Sequence, residues 1–531
     1  MALKVKLVSV PGLDPLIPRI IYLPYGIATI SALLKQSNYE VEKEDLNVEM
    51  MKYSSPMYHL KNLRTVLRMR DSVQLSVHLF GEKFRPEFDQ YIEEVLPMER
   101  YREFDVIGIS VLSHEAMVFA LMLVQRLKRQ YPEKKVVLGG AYLSIVKDHS
   151  FDRLPYVDFI IHGRGEYPLL ALMDYLSHGT GSVEAIDGLI YRDGRGTIHV
   201  NEALDSNLNE EPIPDYDGLD FDRYKGYLQP ELGKEGYGFS IPYRTNLGCV
   251  RRCNFCDYQC VHGSYREKDV SKTVDEIAIL FNRYRSPYFH IVDSALNNNP
   301  SKLREFCLKL IDRGLKVRWH GYMRATDVSR ELLALMKKAG AFSLRWGIES
   351  GNSDVLKYIG KGYTGEQAME ALDTACELGF KNTILMIVGE PHERIEHVRD
   401  SIALLKRYVT NRNINYLVYR LKLISHSPLF QKPEKYKISN IHPIGDDDFN
   451  LITFTRPEYQ FDETEGLSWK ERTKLTDKLM NYLLREVHRV ERTKGRSVPA
   501  LRSWQKSLLE KSYFLRYLKT LVLSRPVRYV T

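Results

Sequence analysis

The sequence predicts an α/β protein with its parts in series. A doubly wound, Rossmann-like domain is expected over 1–200, an acidic linker over 201–237, a partial (β/α)6 TIM-like barrel over 238–425, and a basic, helical C-terminal domain over 426–531. Three observations carry this. Strand-like and helix-like runs alternate through the first 200 residues, and such alternation builds parallel sheets. Six further strand-like runs recur between 238 and 425, mostly with helical segments between them. Three cysteines, Cys249, Cys253 and Cys256, then fall on the loop after the first of those six.

The bounds of the chain agree. A length of 531 residues is enough for roughly three domains. Its 44% apolar and 27% charged residues are those of an ordinary soluble globular protein. Six cysteines, four of them within twelve residues, do not form a secreted disulfide framework. Cys307 and Cys376 lie in helical patterns and read as buried small hydrophobes. The N-terminus lacks the long apolar core of a signal peptide. No apolar run approaches the ~18 residues of a membrane span, so a cytoplasmic protein is expected.

In chain order, Val5–Val10 reads as a strand and Gly26–Lys35 as a helix entered through Leu23-Pro24-Tyr25. Residues 50–100 are irregular and look like an insertion. Phe104–Ser110 has the continuous apolar character of a parallel strand buried on both faces. A helix over Ala116–Gln130 follows, then a strand over Lys135–Leu138 and a tight turn at Gly139-Gly140. Val157–Ile161 is another strand, ending at Gly163-Arg164-Gly165-Glu166, and Leu169–Leu176 another helix. The glycines fall at the carboxyl ends of strands, where open α/β sheets bind ligands. Leu189–Val200 reads as a hairpin. Residues 201–220 then hold seven acidic groups and no Lys or Arg, a linker composition.

The six later runs are Ile241–Leu247, Tyr288–Asp293, Lys316–Tyr322, Phe342–Ile348, Asn382–Val388 and Asn415–Leu423. In a barrel the active site lies on the carboxyl-end loops, and the three cysteines occupy the first of these. Thr273 and Glu276 are spaced as a capping box for the next helix. Beyond 425 the chain reads as helical, with a long amphipathic stretch over Ser468–Arg492. From Arg485 onward twelve Lys/Arg face three Glu, so this end alone carries +9 of a chain whose net charge is +8.

Thiolates spaced x3 then x2 can all point at one inorganic centre. Three thiolates leave one iron of a 4Fe–4S cluster without a protein ligand, open to a substrate or cofactor. The alternative is a structural zinc site with Cys260 as the fourth ligand, which prefers a closed tetrahedron.

Cys249-x-x-x-Cys253-x-Phe255-Cys256 resembles the signature of the radical S-adenosylmethionine (SAM) superfamily, and the resemblance runs through 240–425. It implies a 4Fe–4S cluster on the three cysteines, with SAM contacted by Phe255, by Asp293 and Ser294 after the second strand, by Glu349, Ser350 and Lys361, and by Gly389 in the turn Gly389-Glu390-Pro391-His392-Glu393. The first domain resembles the cobalamin-binding class of these enzymes at Tyr25-Gly26, Ser110, Gly139-Gly140 and Gly163-x-Gly165-Glu166. That resemblance implies cobalamin. No Asp-x-His-x-x-Gly occurs, so the usual histidine beneath cobalt is missing.

The family implies that SAM bound at the open iron is cleaved by one electron to a 5′-deoxyadenosyl radical. The expected function is cobalamin-dependent C-methylation of an unactivated carbon of a natural product or peptide. A second expectation is radical chemistry without methyl transfer, such as epimerisation, cyclisation or rearrangement, with Cys260 as hydrogen donor. A third, from another class, is a non-catalytic metal-binding scaffold that uses the basic tail. The expected partners are a small-molecule or peptide substrate and an electron donor such as flavodoxin or ferredoxin. No RNA-binding module is recognisable, which weighs against nucleic acid.

Overall fold

In a computed structural model, residues 3–11, 22–50, 86–146, 151, 154–205, 207–225, 239–443 and 458–493 are described. They fall into two compact units, 3–225 in the first and the remainder in the second.

The first unit is built on seven strands: β1 (Lys4–Ser9), β2 (Glu40–Asp45), β3 (Val106–Ser110), β4 (Lys135–Gly139), β5 (Phe159–Ile161), β6 (Leu189–Arg192) and β7 (Ile198–Val200). Their order is β2-β1-β3-β4-β5-β6-β7. The first five are parallel, and β6 and β7 add an antiparallel edge. This is the doubly wound arrangement whose strand order reverses between β1 and β3. Alternate side chains serve opposite faces. Val8, Ile107 and Leu138 pack with helices Pro86–Val95 and His114–Gln130. Val5, Leu7, Val106 and Val137 pack with Tyr25–Gln36 and Glu166–His178.

Two sequence expectations change here. Strand β2 has the sequence EVEKED and no apolar alternation, so it gave no strand signal. It is held at the sheet edge by its charges: Lys43 is buried against Asp215, Lys6 meets Glu42, and Glu44 meets Arg100. The acidic stretch, expected as a linker, is docked over its described part. Asp215 receives Lys35 and Lys43, each at 2.8 Å, and Glu211 receives Arg164 at 3.1 Å. Its acidic charge answers these cations. The rest of that stretch, most of the 50–100 insertion and nearly all of the basic C-terminus lie outside the described residues.

The second unit contains a six-stranded parallel sheet in the order β15-β14-β13-β12-β11-β8. Its strands are β8 (Ile241–Tyr243), β11 (Tyr288–Ile291), β12 (Arg318–Met323), β13 (Ala341–Glu349), β14 (Lys381–Val388) and β15 (Ile414–Arg420). Helices lie between successive strands, as the partial barrel requires, and its two end strands do not pair. A short antiparallel pair, β9 (Asn246–Leu247) with β10 (Arg266–Glu267), flanks the cysteine loop.

The capping-box expectation is corrected. Helix Val270–Tyr284 is capped by Asp269, which accepts from Lys272 N. Thr273 and Glu276 lie inside it, buried, and Glu276 accepts from Tyr243 Oη at 2.5 Å and Lys268 Nζ at 2.9 Å. Burial of that acid against a tyrosine and a lysine overrode the local pattern. A true capping box occurs later, where Thr364 and Gln367 open Gly365–Glu377.

Beyond 425 the structure differs from an all-helical expectation. The strands β16 (Leu423–Ile424), β17 (Ile438–Pro443) and β18 (Glu458–Glu463) form an antiparallel sheet in the order β16-β18-β17. The long helix runs over Trp469–Thr493, as its amphipathic pattern requires, and packs on β14, β15 and helix Ile395–Tyr408.

Candidate active site

The carboxyl ends of the barrel strands gather the sequence-predicted residues of the second unit. The cysteine loop follows β9. Backbone N–H groups already point at two of its sulfurs, Arg251 N to Cys249 Sγ at 3.5 Å and Tyr258 N to Cys256 Sγ at 3.4 Å. Burial raises the Cys253 thiol and pushes that of Cys256 up to about 11. Thiols like these are protonated at neutral pH until a metal displaces the proton. Among the described residues no group of three or more His, Cys, Asp or Glu side chains could hold a metal ion.

Positive charge converges on this loop. Lys361 Nζ lies 3.2 Å from Glu349 Oε1, and both are buried. Burial works against the ammonium, but Tyr363, Glu349 and Cys253 more than offset it and raise its pKa. Arg324, just past β12, is 7% exposed. Its Nη2 donates to Asn297 O at 3.1 Å, while its buried Nε and Nη1 have no partner. Burial lowers its pKa, and Cys249 and Cys253 are among the groups whose field it feels. Sequence reasoning missed Arg324; an arginine closing a barrel strand was the available signal.

Other predicted residues are engaged by the protein itself. Asp293 is buried and accepts from Thr245 N, Asn246 N and Asn246 Nδ2 at 2.7–3.1 Å, and from the Thr245 hydroxyl. Burial pushes its carboxyl up to about 6 despite these donors. Ser294 donates to Gly248 O at 2.6 Å, and Ser350 is buried against Ser401. These three shape the loops. Phe255 packs against the apolar cluster of Leu423, Leu429, Tyr436, Ile438 and Phe461. Glu349 has a positive φ of 66°, a strain typical of functional sites in a non-glycine residue. Cys260 lies in helix Tyr258–His262, and its side chain is outside the described residues.

The turn after β14 needs glycine at 389, where φ is 101° and a Cβ would meet Thr476 Cγ2 at 2.7 Å. Glu393 closes the turn by accepting from Gly389 N at 2.6 Å. Arg472 of the long helix donates to Gly389 O at 2.8 Å. Glu390 turns inward and accepts from Asn254 of the cysteine loop.

In the first unit the loops after β3, β4 and β5 carry the other predicted group. Gly140 has φ 107°, and a Cβ there would meet Val111 O at 2.5 Å. Gly163 has φ 80°, and its N–H donates to Ser144 Oγ at 2.8 Å. Gly139 ends β4 and Ser110 ends β3. Gly165 precedes helix Glu166–His178, and Gly26 has open space beside it. Leu112, two residues past β3, is 65% exposed. Glycine turns at the carboxyl ends of parallel strands stand where an open α/β sheet receives a ligand. Tyr25 is buried in the first turn of its helix, and Glu166 is buried with Arg164 at 3.0 Å, so both support the loops.

The Radical SAM superfamily matches residues 243–405, and the B12 binding domain matches 20–173. The chain carries a radical SAM domain and a B12-binding domain. The radical SAM domain implies a 4Fe–4S cluster and SAM, and the B12-binding domain implies cobalamin.

This radical SAM protein is 28% identical over 305 residues to an uncharacterized methyltransferase of Pyrococcus horikoshii, covering 57% of this chain and 64% of that one. It is 28% identical over 305 residues to the anaerobic magnesium-protoporphyrin IX monomethyl ester cyclase of Rubrivivax gelatinosus, covering 56% and 53%. The chain therefore spans less than two thirds of either relative. Its fold is similar to that of the cobalamin-dependent S-adenosylmethionine radical enzyme OxsB with aqua-cobalamin and SAM bound, at TM-score 0.63, 18% identity, 98% of this chain and 72% of that one. No described helix is long and apolar enough to cross a membrane.

Proposed function

We propose that this protein is a cobalamin-dependent C-methyltransferase acting on an unactivated carbon of a natural product or peptide. The reading rests on one observation above all: a B12-binding domain and a radical SAM domain stand in one chain. The Pyrococcus methyltransferase relative supports it. The Rubrivivax cyclase favours a second reading, radical ring closure or rearrangement without methyl transfer, in which Cys260 is the candidate hydrogen donor.

With the groups bound, cluster and SAM supply a one-electron route to a 5′-deoxyadenosyl radical, and cobalamin a carrier for a methyl group. The chain's own residues do the rest. Cys249, Cys253 and Cys256 would hold the cluster through their thiolates. Arg324 and Lys361 set cationic charge beside those sulfurs; the two unpartnered N–H groups of Arg324 suit the carboxylate of SAM. Glu349 orients Lys361, while Asp293, Ser294 and Ser350 fix the loops. Gly389, with its positive φ and no room for a Cβ, lets the turn after β14 form for the adenine side, and Phe255 anchors the cysteine loop. Gly139, Gly140, Gly163 and Gly165 would hold the corrin, with Ser110, Tyr25, Gly26 and Glu166 shaping their loops. The electron comes from a reduced flavodoxin or ferredoxin.

The test is product analysis of the reconstituted enzyme with substrate. Methylation releases S-adenosylhomocysteine and 5′-deoxyadenosine together. Deoxyadenosine without S-adenosylhomocysteine would replace the first reading with the second.

A further inference from the structure

The cysteine loop is held between two short helices through the backbone of Asn254. Its N–H donates to Ile359 O at 2.9 Å, at the end of helix Ser353–Ile359. Its carbonyl accepts from Leu429 N of helix Pro428–Gln431, also at 2.9 Å. The chain that follows the second helix returns to the first. Tyr358 Oη donates to Tyr436 O at 2.8 Å, and the two rings meet edge to face with centres 5.8 Å apart. Tyr436 belongs to the same apolar cluster as Phe255 of the cysteine loop. Burial raises the pKa of its phenol, and the charge of Cys253 adds to that. The tyrosine pair therefore stands within electrostatic reach of the cluster site.

Around this pair the exposed charge is mostly of one sign. Lys357 precedes Tyr358, and Lys432, Lys435 and Lys437 surround Tyr436 in sequence; all four lysines are exposed. Lys435 Nζ lies 5.5 Å from the centre of the Tyr436 ring. Arg252, next to Cys253, is exposed as well. Its carbonyl lies 3.7 Å from where a Cβ would stand on Gly360, the cap of helix Ser353–Ile359. None of these five cations forms an ion pair among the described residues. The acids of the same elements are Asp354, in the first turn of its helix, and Glu434. The surface beside the cysteine loop is therefore cationic, with a half-buried tyrosine among its lysines.

We infer that this surface docks an acidic protein that carries single electrons, and that Lys357, Lys435 and Lys437 steer it to the cysteine loop. Charge complementarity names the occupant. Encounters between redox proteins are small and transient, and opposite surface charge sets their rate and register. Tyr358 supplies an amphipathic contact within the ring of lysines. The step passes one electron from the reduced carrier to the cluster. The carrier is oxidised by one electron, the cluster is reduced by one, and no bond or proton changes place. The need for that electron rests on the radical-enzyme reading above.

The experiment is anaerobic calorimetric titration of the reconstituted holoenzyme with flavodoxin, an acidic carrier, at low and at high salt. Binding is expected at low salt and should weaken as salt rises. The double reversal Lys435→Glu with Lys437→Glu should weaken it about tenfold or more, and Lys357→Glu by a smaller factor. Lys357 stands on a different element, which keeps the test informative if the double variant does not fold. Lys338→Glu is the control: this exposed lysine ends helix Arg330–Lys338 just before the start of β13, at the opposite end of the barrel, and its reversal should leave affinity unchanged. Reduction by dithionite needs no docking and should proceed equally in all variants. No binding, binding indifferent to salt, equal affinity in wild type and both patch variants, or equal weakening by Lys338→Glu would overturn the inference. Poly-glutamate binding lost in the patch variants while flavodoxin binding is kept would assign the surface to an acidic peptide instead. Deoxyadenosine release by the wild-type enzyme with dithionite is measured separately. Its absence defeats the radical reading and leaves lysine-dependent docking standing; its presence without lysine-dependent docking defeats the inference alone.

Discussion

Asn254 Nδ2 donates to Glu390 Oε2 at 3.1 Å, tying the cysteine loop to the turn after the fifth barrel strand. Both residues are nearly sealed from solvent, 1% and 2% exposed, and Asn254 Oδ1 and Glu390 Oε1 have no partner. A buried amide and carboxyl with spare acceptors hold the two loops at fixed spacing. Leu429 N donates to Asn254 O at 2.9 Å from the far side.

Glu390 makes stability depend on pH. Burial pushes its carboxyl up to about 8. Between the ordinary glutamate value and 8 the folded chain holds a proton that the unfolded chain has lost. Stability then falls as pH rises through that window, by up to about 1.4 kcal/mol per pH unit. Glu390→Gln removes this contribution, so its urea midpoints should vary less between about pH 5 and 8 than those of wild type. Equal slopes would show that Glu390 ionises normally.

Much of this was legible in sequence because parallel strands buried on both faces read as apolar runs, and the cysteine spacing resembles a superfamily signature. The runs at Phe104–Ser110 and Asn382–Val388 are strands to within two residues at either end. What escaped was written in charge. The EVEKED strand is placed by Lys43–Asp215, a pair 172 residues apart. Arg324 shows its unpartnered donors only once β12 and the cysteine loop are side by side. Asp293 and Ser350 follow β11 and β13, and their polar atoms bond to the chain itself, which no linear motif records.

The Lys43–Asp215 pair can be tested directly. Burial opposes the Asp215 carboxylate, but Lys35 and Lys43 outweigh it and hold its pKa below the usual carboxylate range. The stabilisation is present above the unfolded carboxylate pKa and is lost as pH falls below it. Asp215→Ala leaves Lys43 buried without its partner and should cost roughly 3–5 kcal/mol. Hydrogen exchange should report the loss around β2 and helix Tyr25–Gln36. Unchanged protection there would mean that the acidic stretch does not anchor the domain.

Gly389 carries two separable strains. Gly389→Ala adds a left-handed backbone penalty on the order of 1–3 kcal/mol and a clash with Thr476. Thr476→Ala in the same chain removes Cγ2 and Oγ1, the two nearest atoms. The double variant should recover the clash and keep the backbone cost, measured as a double-mutant cycle in urea. Full recovery would show that φ at 389 relaxes.

Arg324 offers the sharpest test of how the cluster site grips its ligand. Its Nε and Nη1 are buried donors without partners, a state costly enough that something is expected to receive them. If that is the carboxylate of SAM, Arg324→Gln should retain the iron and sulfide content of wild type and bind SAM about tenfold or more weakly, since a charge-assisted pair is lost. Arg324→Lys keeps the charge without the fork and should fall between them. Cys253→Ala is the contrasting variant, expected to lose the iron–sulfur absorbance itself. Equal SAM affinity in Arg324→Gln and wild type, with the cluster intact in both, would remove the guanidinium from SAM recognition. Loss of the cluster in Arg324→Gln would make it instead a support for the thiolates.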